Sequence, residues 1–263
     1  CYYAVIQPHA EMFAPEEYME KYRGKFLPES SYEGTDDGPD FRKYAYGSQP
    51  EGHAAFAAMD HTIDDYVGEI TARLKELGID DNTLIIFTSD NGPHQEAGHD
   101  PAYFNSNGSM RGFKRDLYEG GINVPMIARW PGKVAAGTET DLISAFWDVM
   151  PTVAEMAKVD APTDIDGISF LPTLLNRDGQ KQHDYLYWEF HEKKGRVAIR
   201  KGNWKGVRYN VSIDAHSPLE LYDLSADPQE QYNIAMQHPD VVAELDLLMK
   251  NARTESPVKR YNF

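Results

Sequence analysis

Residues 83–121, TLIIFTSDNGPHQEAGHDPAYFNSNGSMRGFKRDLYEGG, decide how this chain is interpreted. The stretch opens with a short apolar run at residues 84–87, rich in β-branched side chains and bounded by turn residues, which predicts a buried strand. Asp90 and Asn91 follow this strand directly. Ligands bind beyond the carboxyl ends of strands in open α/β sheets, and an Asp-Asn pair offers hard oxygen ligands. The pair therefore predicts a site for Ca²⁺, with Mg²⁺ as the alternative, although Asp-Asn-Gly is also ordinary turn chemistry.

The same stretch ends in a basic turn, in which Arg111, Lys114 and Arg115 surround Gly112. Lysine is usually a solvated surface residue, so Lys114 alone says little. A strand end with oxygen ligands followed by a cluster of cations indicates a site for an anionic, oxygen-rich substrate. A compact ammonium in such a site could stabilise charge on the substrate's oxygens.

The hydrophobic pattern predicts an α/β fold in two parts. A helix over residues 56–77, ended by Gly78, precedes the strand at residues 83–89, and this alternation is typical of a parallel sheet. We expect residues 1–180 to form a mixed or parallel sheet core flanked by helices. We expect residues 181–263 to form a small antiparallel β subdomain with a packed C-terminal helix. The individual predictions for the other elements are strands at 2–6, 123–128, 185–190, 196–200, 204–211 and 219–223, and helices at 15–22, 146–159 and 239–253.

Composition limits the possible functions. The 263 residues are 41% hydrophobic and 12% aromatic, which is typical of a globular protein. The formal net charge of −16 argues against nucleic acid as a partner. No apolar run reaches the length of a membrane span. Cys1 is the single cysteine, so an internal disulfide is excluded.

Several motifs together resemble the type I sulfatases, a branch of the alkaline-phosphatase superfamily. They are SDNG at 89–92, SNG at 106–108, RGFKRDLYEGG at 111–121, VPMIARWPG at 124–132 and LYDLSADPQEQYNIA at 221–235. The ordered series is specific, whereas SDNG alone would be weak. The resemblance implies a sulfuric ester hydrolase that acts on a sulfated sugar or an aryl sulfate, in a secreted, periplasmic or lysosomal setting.

The resemblance also assigns roles to individual residues. Asp90 and Asn91 would complete a calcium site, and Lys114 would contact the sulfate. His9, in the motif PHA, would be a catalytic residue at the sulfate or leaving group. The family's nucleophile is a formylglycine made from a C/S-x-P-x-R motif, which these residues do not contain. We therefore expect this chain to be the C-terminal half of a sulfatase, a fragment inactive by itself.

Three further residues are candidates for substrate binding: His94, His99 and Arg111. The two histidines follow Asp90 closely, but Gly92, Pro93 and Gly98 make a helical metal pair improbable, and a solvent-facing loop is the plainer interpretation. Arg111 is the weaker candidate, since it could equally be a structural ion-pair partner.

Alternative functions stay open at this point. A phosphate or phosphonate ester hydrolase of the same superfamily would share the metal-binding strand end. The chain could also be a non-catalytic fragment that binds an anion or a sugar. Cys1 could be an N-terminal nucleophile or a lipidated residue, although residues 2–6 predict a buried strand, so an interior strand is the simpler interpretation.

Overall fold

The computed structural model describes residues 1–41, 43 and 45–262. Its contacts divide the chain into two compact units. Unit 1 comprises Cys1–Asp80 and Asn91–Ser109, and unit 2 comprises Asp81–Asp90 and Met110–Phe263. The sequence-based division at residue 180 stays a prediction.

The described elements alternate between helices and strands before the chain enters a four-stranded sheet. The helices are α1 (Glu16–Tyr22), α2 (Gly52–Glu76), α3 (Pro101–Phe104), α4 (Glu119–Ile122), α5 (Val149–Ala157), α6 (Leu171–Leu174) and α7 (Pro239–Ala252). The strands are β1 (Ile85–Thr88), β2 (Met126–Arg129), β3 (Leu186–Phe190), β4 (Arg196–Lys201), β5 (Trp204–Tyr209) and β6 (Leu219–Asp223). No helix in the described part of the chain is long and apolar enough to cross a membrane.

Unit 1 is organised by α2, which packs against α1. The small residues Ala54, Ala55 and Ala58 are fully buried and allow Met12 to come close to the helix. The helix ends where the sequence predicts: Gly78 adopts φ +66°, the left-handed conformation that glycine reaches without steric cost. The predicted helix at 56–77 is therefore confirmed, with four more residues at its N-terminus.

Unit 2 contains two sheets, and both are antiparallel. β1 pairs with β2, with Ile85 opposite Arg129 and Thr88 opposite Met126. The mixed α/β class is confirmed, but the parallel pairing expected for the first sheet is not seen among the described strands. The physical reason lies in the connection: the only helices between β1 and β2 in the described chain have four residues each, and a parallel pair needs a full crossover.

The second sheet has the order β3-β4-β5-β6, which confirms the predicted antiparallel strands. Helix α7 covers one of its faces, where Leu245 and Met249 pack against Ile199 and Leu221. Gly206 lies under this helix, and a Cβ there would come within 3.2 Å of the Leu245 Cδ1 atom. A small residue is therefore needed for the close contact between helix and sheet.

The predicted strand at residues 2–6 is wrong. The segment has no regular secondary structure, and Tyr2, Tyr3 and Ile6 are exposed. An apolar run forms a strand only when a neighbouring strand takes up its backbone hydrogen bonds, and no described strand pairs with this one.

Candidate active site

The predicted metal ligands follow β1, at the point where the chain passes from unit 2 to unit 1. Asp90 is exposed and Asn91 is half-buried. The Asn91 Nδ2 group donates to the Gly92 carbonyl at 3.0 Å, which fixes the orientation of the amide. Both side chains offer the hard oxygen donors that calcium prefers. The described residues contain no group of three His, Cys, Asp or Glu side chains able to hold a metal. The donor chemistry of Asp90 and Asn91 fits a calcium ion, and their role as its ligands stays a prediction.

A cluster of histidines lies in unit 1, around His94. The His94 and His9 rings are 5.7 Å apart, and the His94 and His99 rings are 5.0 Å apart, both measured between centroids. His94 Nδ1 accepts a hydrogen bond from the Glu96 N–H at 3.2 Å, so its Nε2 must carry the proton donated to the Pro8 carbonyl at 2.9 Å. This pair of bonds holds His94 in its neutral form and ties the segment before His9 to the loop after Asn91.

His99 is buried more deeply than a loop residue usually is, with 5% of its surface exposed. Its ring stacks on Phe56 at 3.8 Å between centroids, and both ring nitrogens are buried without a hydrogen-bond partner in the described structure. Burial, with a smaller contribution from His94, lowers the pKa of His99 to about 3. The ring is therefore neutral at physiological pH, and neither His94 nor His99 lies in the solvent-facing loop that the sequence favoured.

His9 is the accessible member of this cluster, with 42% of its side chain exposed. Its Nδ1 donates to the Ala10 carbonyl at 2.6 Å, because a carbonyl can only accept. The Nε2 atom is then the nitrogen that points away from the backbone, 3.9 Å from a Glu96 carboxylate oxygen.

Lys114 lies in unit 2, in the tight loop of residues 111–121. Gly120 donates its N–H to the Arg111 carbonyl at 2.7 Å, and a Cβ on Gly120 would lie 2.3 Å from the Gly112 oxygen. The loop therefore closes only with glycine at position 120. The Lys114 side chain is half-buried and makes no ion pair or hydrogen bond with the described residues. An unpaired ammonium on a rigid loop is suited to hold an anion.

Arg111, by contrast, already has protein partners. Its guanidinium lies 3.8 Å from the centroid of the Tyr118 ring and donates to the Tyr222 hydroxyl and the Glu230 carbonyl, each at 2.9 Å. Since 42% of its side chain is exposed, one edge of the guanidinium still faces solvent. Its contacts fix the loop to the strand that carries Tyr222.

Beneath the loop lies a buried charge network that sequence reasoning did not find. Lys205 is fully buried, and its ammonium lies 2.6 Å from Glu119 and 3.5 Å from Glu230. Burial pushes the pKa of the Glu119 carboxyl upward, but the Lys205 charge outweighs it, so this pKa lies below its usual range. Burial raises the pKa of Glu230. The loop thus rests on an ion pair that water does not reach.

A second ion pair fixes the loop from the side of β4. Arg196 donates to Asp116 at 2.6 Å, and Asp116 in turn accepts the Phe113 N–H at 3.1 Å. No sequence signal marks Arg196 or Lys205, because a charged residue in a strand normally points to solvent. The structure thus gathers His9, His94 and His99 in unit 1 and places Arg111 and Lys114 together on the loop of unit 2.

Two family models match the chain. Residues 1–159 match the model described as Sulfatase, and residues 110–255 match the model described as N-sulphoglucosamine sulphohydrolase, C-terminal. The first match spans more than half of the chain and contains His9, Asp90, Asn91 and Lys114. The second match begins at residue 110, which is also the first residue of the larger segment of unit 2.

The chain is also similar to individual proteins, in sequence and in structure. N-acetylgalactosamine-6-O-sulfatase of Bacteroides thetaiotaomicron is 36% identical over 212 residues, which is 73% of this chain and 40% of that protein. A solved structure from glycosaminoglycan metabolism by the same organism is 35% identical, with a TM-score of 0.59, and covers 77% of this chain and 44% of that one. A protein solved in complex with k-i-k-neocarrahexaose is 24% identical, with a TM-score of 0.72, and covers 93% and 48%. The chain thus spans less than half the length of these proteins.

Proposed function

The chain belongs to the sulfatase family, and from this premise we propose that it carries part of the active site of a sulfuric ester hydrolase. The observation that supports the proposal most is Lys114, a half-buried, unpaired ammonium in a loop that glycine packing and two ion pairs hold rigid. The ammonium of such a lysine is already in position when a sulfate binds. A charge that is held in place in advance is effective in stabilising the charge that develops in a transition state.

We propose a sulfated sugar as the substrate class. Support comes from the relative named N-acetylgalactosamine-6-O-sulfatase and from the similar structure connected with glycosaminoglycan metabolism. The family resemblance implies a secreted, periplasmic or lysosomal location, and this location is part of the proposal.

In this mechanism each residue acts on a defined part of the ester. Lys114 binds the non-bridging sulfate oxygens and stabilises the negative charge that grows on them. His9, with Nδ1 committed to the Ala10 carbonyl, presents Nε2–H to the bridging oxygen and protonates the departing alcohol. His94, His99 and Arg111 contribute by shaping the surroundings: His94 binds the Pro8 carbonyl before His9, His99 packs beside His94, and Arg111 holds the Lys114 loop.

Asp90 and Asn91 would hold the calcium ion, which when bound offsets the charge of the sulfate. A formylglycine, which the family implies, would supply the nucleophile that attacks sulfur. These 263 residues contain no C/S-x-P-x-R motif, so the proposal assigns the role of nucleophile to none of them.

The test is the substitution Lys114→Ala in the full protein that carries this chain, assayed on N-acetylgalactosamine 6-sulfate. Removing one preorganised donor to a transition-state oxyanion costs about 10²–10³ in kcat. Lys133→Ala is the matched control, because Lys133 is an exposed lysine of the same unit outside the loop. Equal rates for the two variants would remove Lys114 from the mechanism.

A further inference from the structure

Unit 2 contains a cleft of about 410 Å³ that has no part in the mechanism above. It lies between the end of β4, residues 140–143 and residues 180–186. Its wall combines apolar side chains with polar ones, and the polar or aromatic members used below are Asp141, His183, Tyr185 and Arg200. A cleft with an apolar floor and a few convergent polar groups is the usual form of a small-molecule site.

His183 is oriented towards this cleft by a buried aspartate. Asp148 is 1% exposed, and its two carboxylate oxygens lie 2.9 and 3.0 Å from the His183 Nε2 atom. The same carboxylate accepts the N–H groups of Ala145 and Ile168, each at 2.7 Å. Because a carboxylate can only accept, His183 Nε2 carries a proton. The other ring nitrogen, Nδ1, has no hydrogen-bond partner among the described residues, since the side-chain hydrogen bonds of His183 both run through Nε2.

Arg200 brings a cation to the same cleft. Its Nε donates to the Gly202 carbonyl at 3.2 Å, and its Nη1 lies 3.4 Å from Glu119. The other carboxylate oxygen of Glu119 binds the Lys205 ammonium at 2.6 Å. The remaining N–H groups of the Arg200 guanidinium have no partner in the described structure and can bind an oxyanion in the fork geometry that arginine favours.

From this arrangement we propose that the cleft is a second binding site, which takes a hydroxyl-bearing sugar ring that carries one carboxylate or sulfate group. The oxyanion binds Arg200, and a ring hydroxyl, which can donate or accept, forms a hydrogen bond with His183 Nδ1. Tyr185 offers an aromatic surface, and Asp141 can accept a further hydroxyl while repelling a second anionic group. A purely structural role would explain the hydrogen bond between His183 and Asp148. It would not explain why His183 Nδ1 and the Arg200 guanidinium lie on the same wall of the cleft with hydrogen-bonding capacity to spare.

Calorimetric titration of the full protein that carries this chain tests the proposal, with glucuronate and N-acetylgalactosamine 6-sulfate as separate probes. We expect saturable binding of glucuronate, whereas binding of N-acetylgalactosamine 6-sulfate supports this cleft only where it persists in Lys114→Ala, because that sugar is also the proposed substrate. Arg200→Gln should weaken it at least about tenfold, since a charge-assisted hydrogen bond is lost. Lys201→Gln is the matched control: it removes the same charge one residue along β4, where the side chain pairs with Glu244 and does not line the cleft.

Two further variants separate this site from the proposed catalytic one. Lys114→Ala should leave the binding of glucuronate unchanged, and His183→Ala should weaken it as Arg200→Gln does. Arg200→Gln leaves Glu119 paired with Lys205, so the test does not depend on whether His183→Ala folds. Equal glucuronate affinities for Arg200→Gln and Lys201→Gln, loss of glucuronate binding in Lys114→Ala, or absence of saturable glucuronate binding would each overturn the proposal. Glucuronate carries no sulfate, so failure of the sulfatase mechanism would not alter this result.

Discussion

Single residues in unit 1 show how burial sets protonation. His94 is neutral because its two nitrogens meet one backbone donor and one backbone acceptor. His99 is neutral because it is enclosed by aromatic rings and lies next to a second imidazole. His9 is exposed, so it is the histidine of this cluster that a ligand can reach.

The depressed pKa of His99 predicts an acid-sensitive fold. The unfolded chain takes up a proton at this residue near its ordinary pKa of 6.5, whereas the folded chain does so only near 3. The free energy of unfolding therefore falls as the pH is lowered from about 6.5 towards about 3, since the unfolded state binds more protons there. We expect His99→Phe to reduce this slope, as measured by urea unfolding at pH 7.5, 6 and 5.

His216→Phe is the control for that experiment, because His216 is exposed and lies in the other unit. It should leave the pH dependence as it is in the unchanged protein. A His99→Phe variant with the same loss of stability between pH 7.5 and 5 as the unchanged protein would contradict the assignment.

At the scale of elements, the loop of residues 111–121 depends on the four-stranded sheet of unit 2. Glu119 contacts Lys205 of β5, Asp116 contacts Arg196 of β4, and Arg111 contacts Tyr222 of β6. Three neighbouring strands thus hold one loop. This explains how Lys114 can remain fixed without any polar contact of its own.

Breaking the buried contact should therefore cost far more than breaking an exposed one. Lys205→Met leaves Glu119 and Glu230 in the interior without their cation, and removing one partner of a buried pair costs about 3–5 kcal/mol of unfolding free energy. Lys201→Met breaks the exposed pair with Glu244 and should cost less than about 1 kcal/mol. Chemical unfolding of both variants measures the difference, and similar losses would mean that the buried network does not stabilise the fold.

The elements also show what could be predicted from the sequence. The periodicity of α2, the glycine at its end and the short strands β3–β6 are local signals, and they were predicted with small errors at the ends. Two features could not be predicted: the antiparallel pairing of β1 with β2 and the irregular conformation of residues 2–6. Both depend on which strands become neighbours in the folded chain, and a local sequence pattern does not contain that information. The burial of His99 and Lys205 depends likewise on partners distant in sequence, Phe56 and Glu230. The roles of His9, Lys114, Asp90 and Asn91 came from the family resemblance and stay predictions.

For the whole molecule, the net charge of −16 opposes the approach of a sulfated ligand. Attraction of such a ligand must then come from local cations, and Lys114 and the partly exposed Arg111 lie three residues apart on one loop. The metal would add to this local positive charge.

The 263-residue chain alone should bind calcium weakly. Asp90 and Asn91 supply two side chains, whereas calcium takes about six to eight oxygen ligands. Calorimetric titration of the isolated chain should therefore give no tight site, and Asp90→Ala should abolish what binding there is. A sub-micromolar dissociation constant that survives Asp90→Ala would place the metal elsewhere.

The central claim is that these residues serve the hydrolysis of a sulfate ester and not of a phosphate ester. The most direct measurement compares kcat/KM of the full protein that carries this chain on two matched substrates, N-acetylgalactosamine 6-sulfate and N-acetylgalactosamine 6-phosphate. We predict that the sulfate is hydrolysed faster by at least about a hundredfold, the scale on which one preorganised contact acts. A faster reaction with the phosphate, or no hydrolysis of the sulfate, would contradict the account.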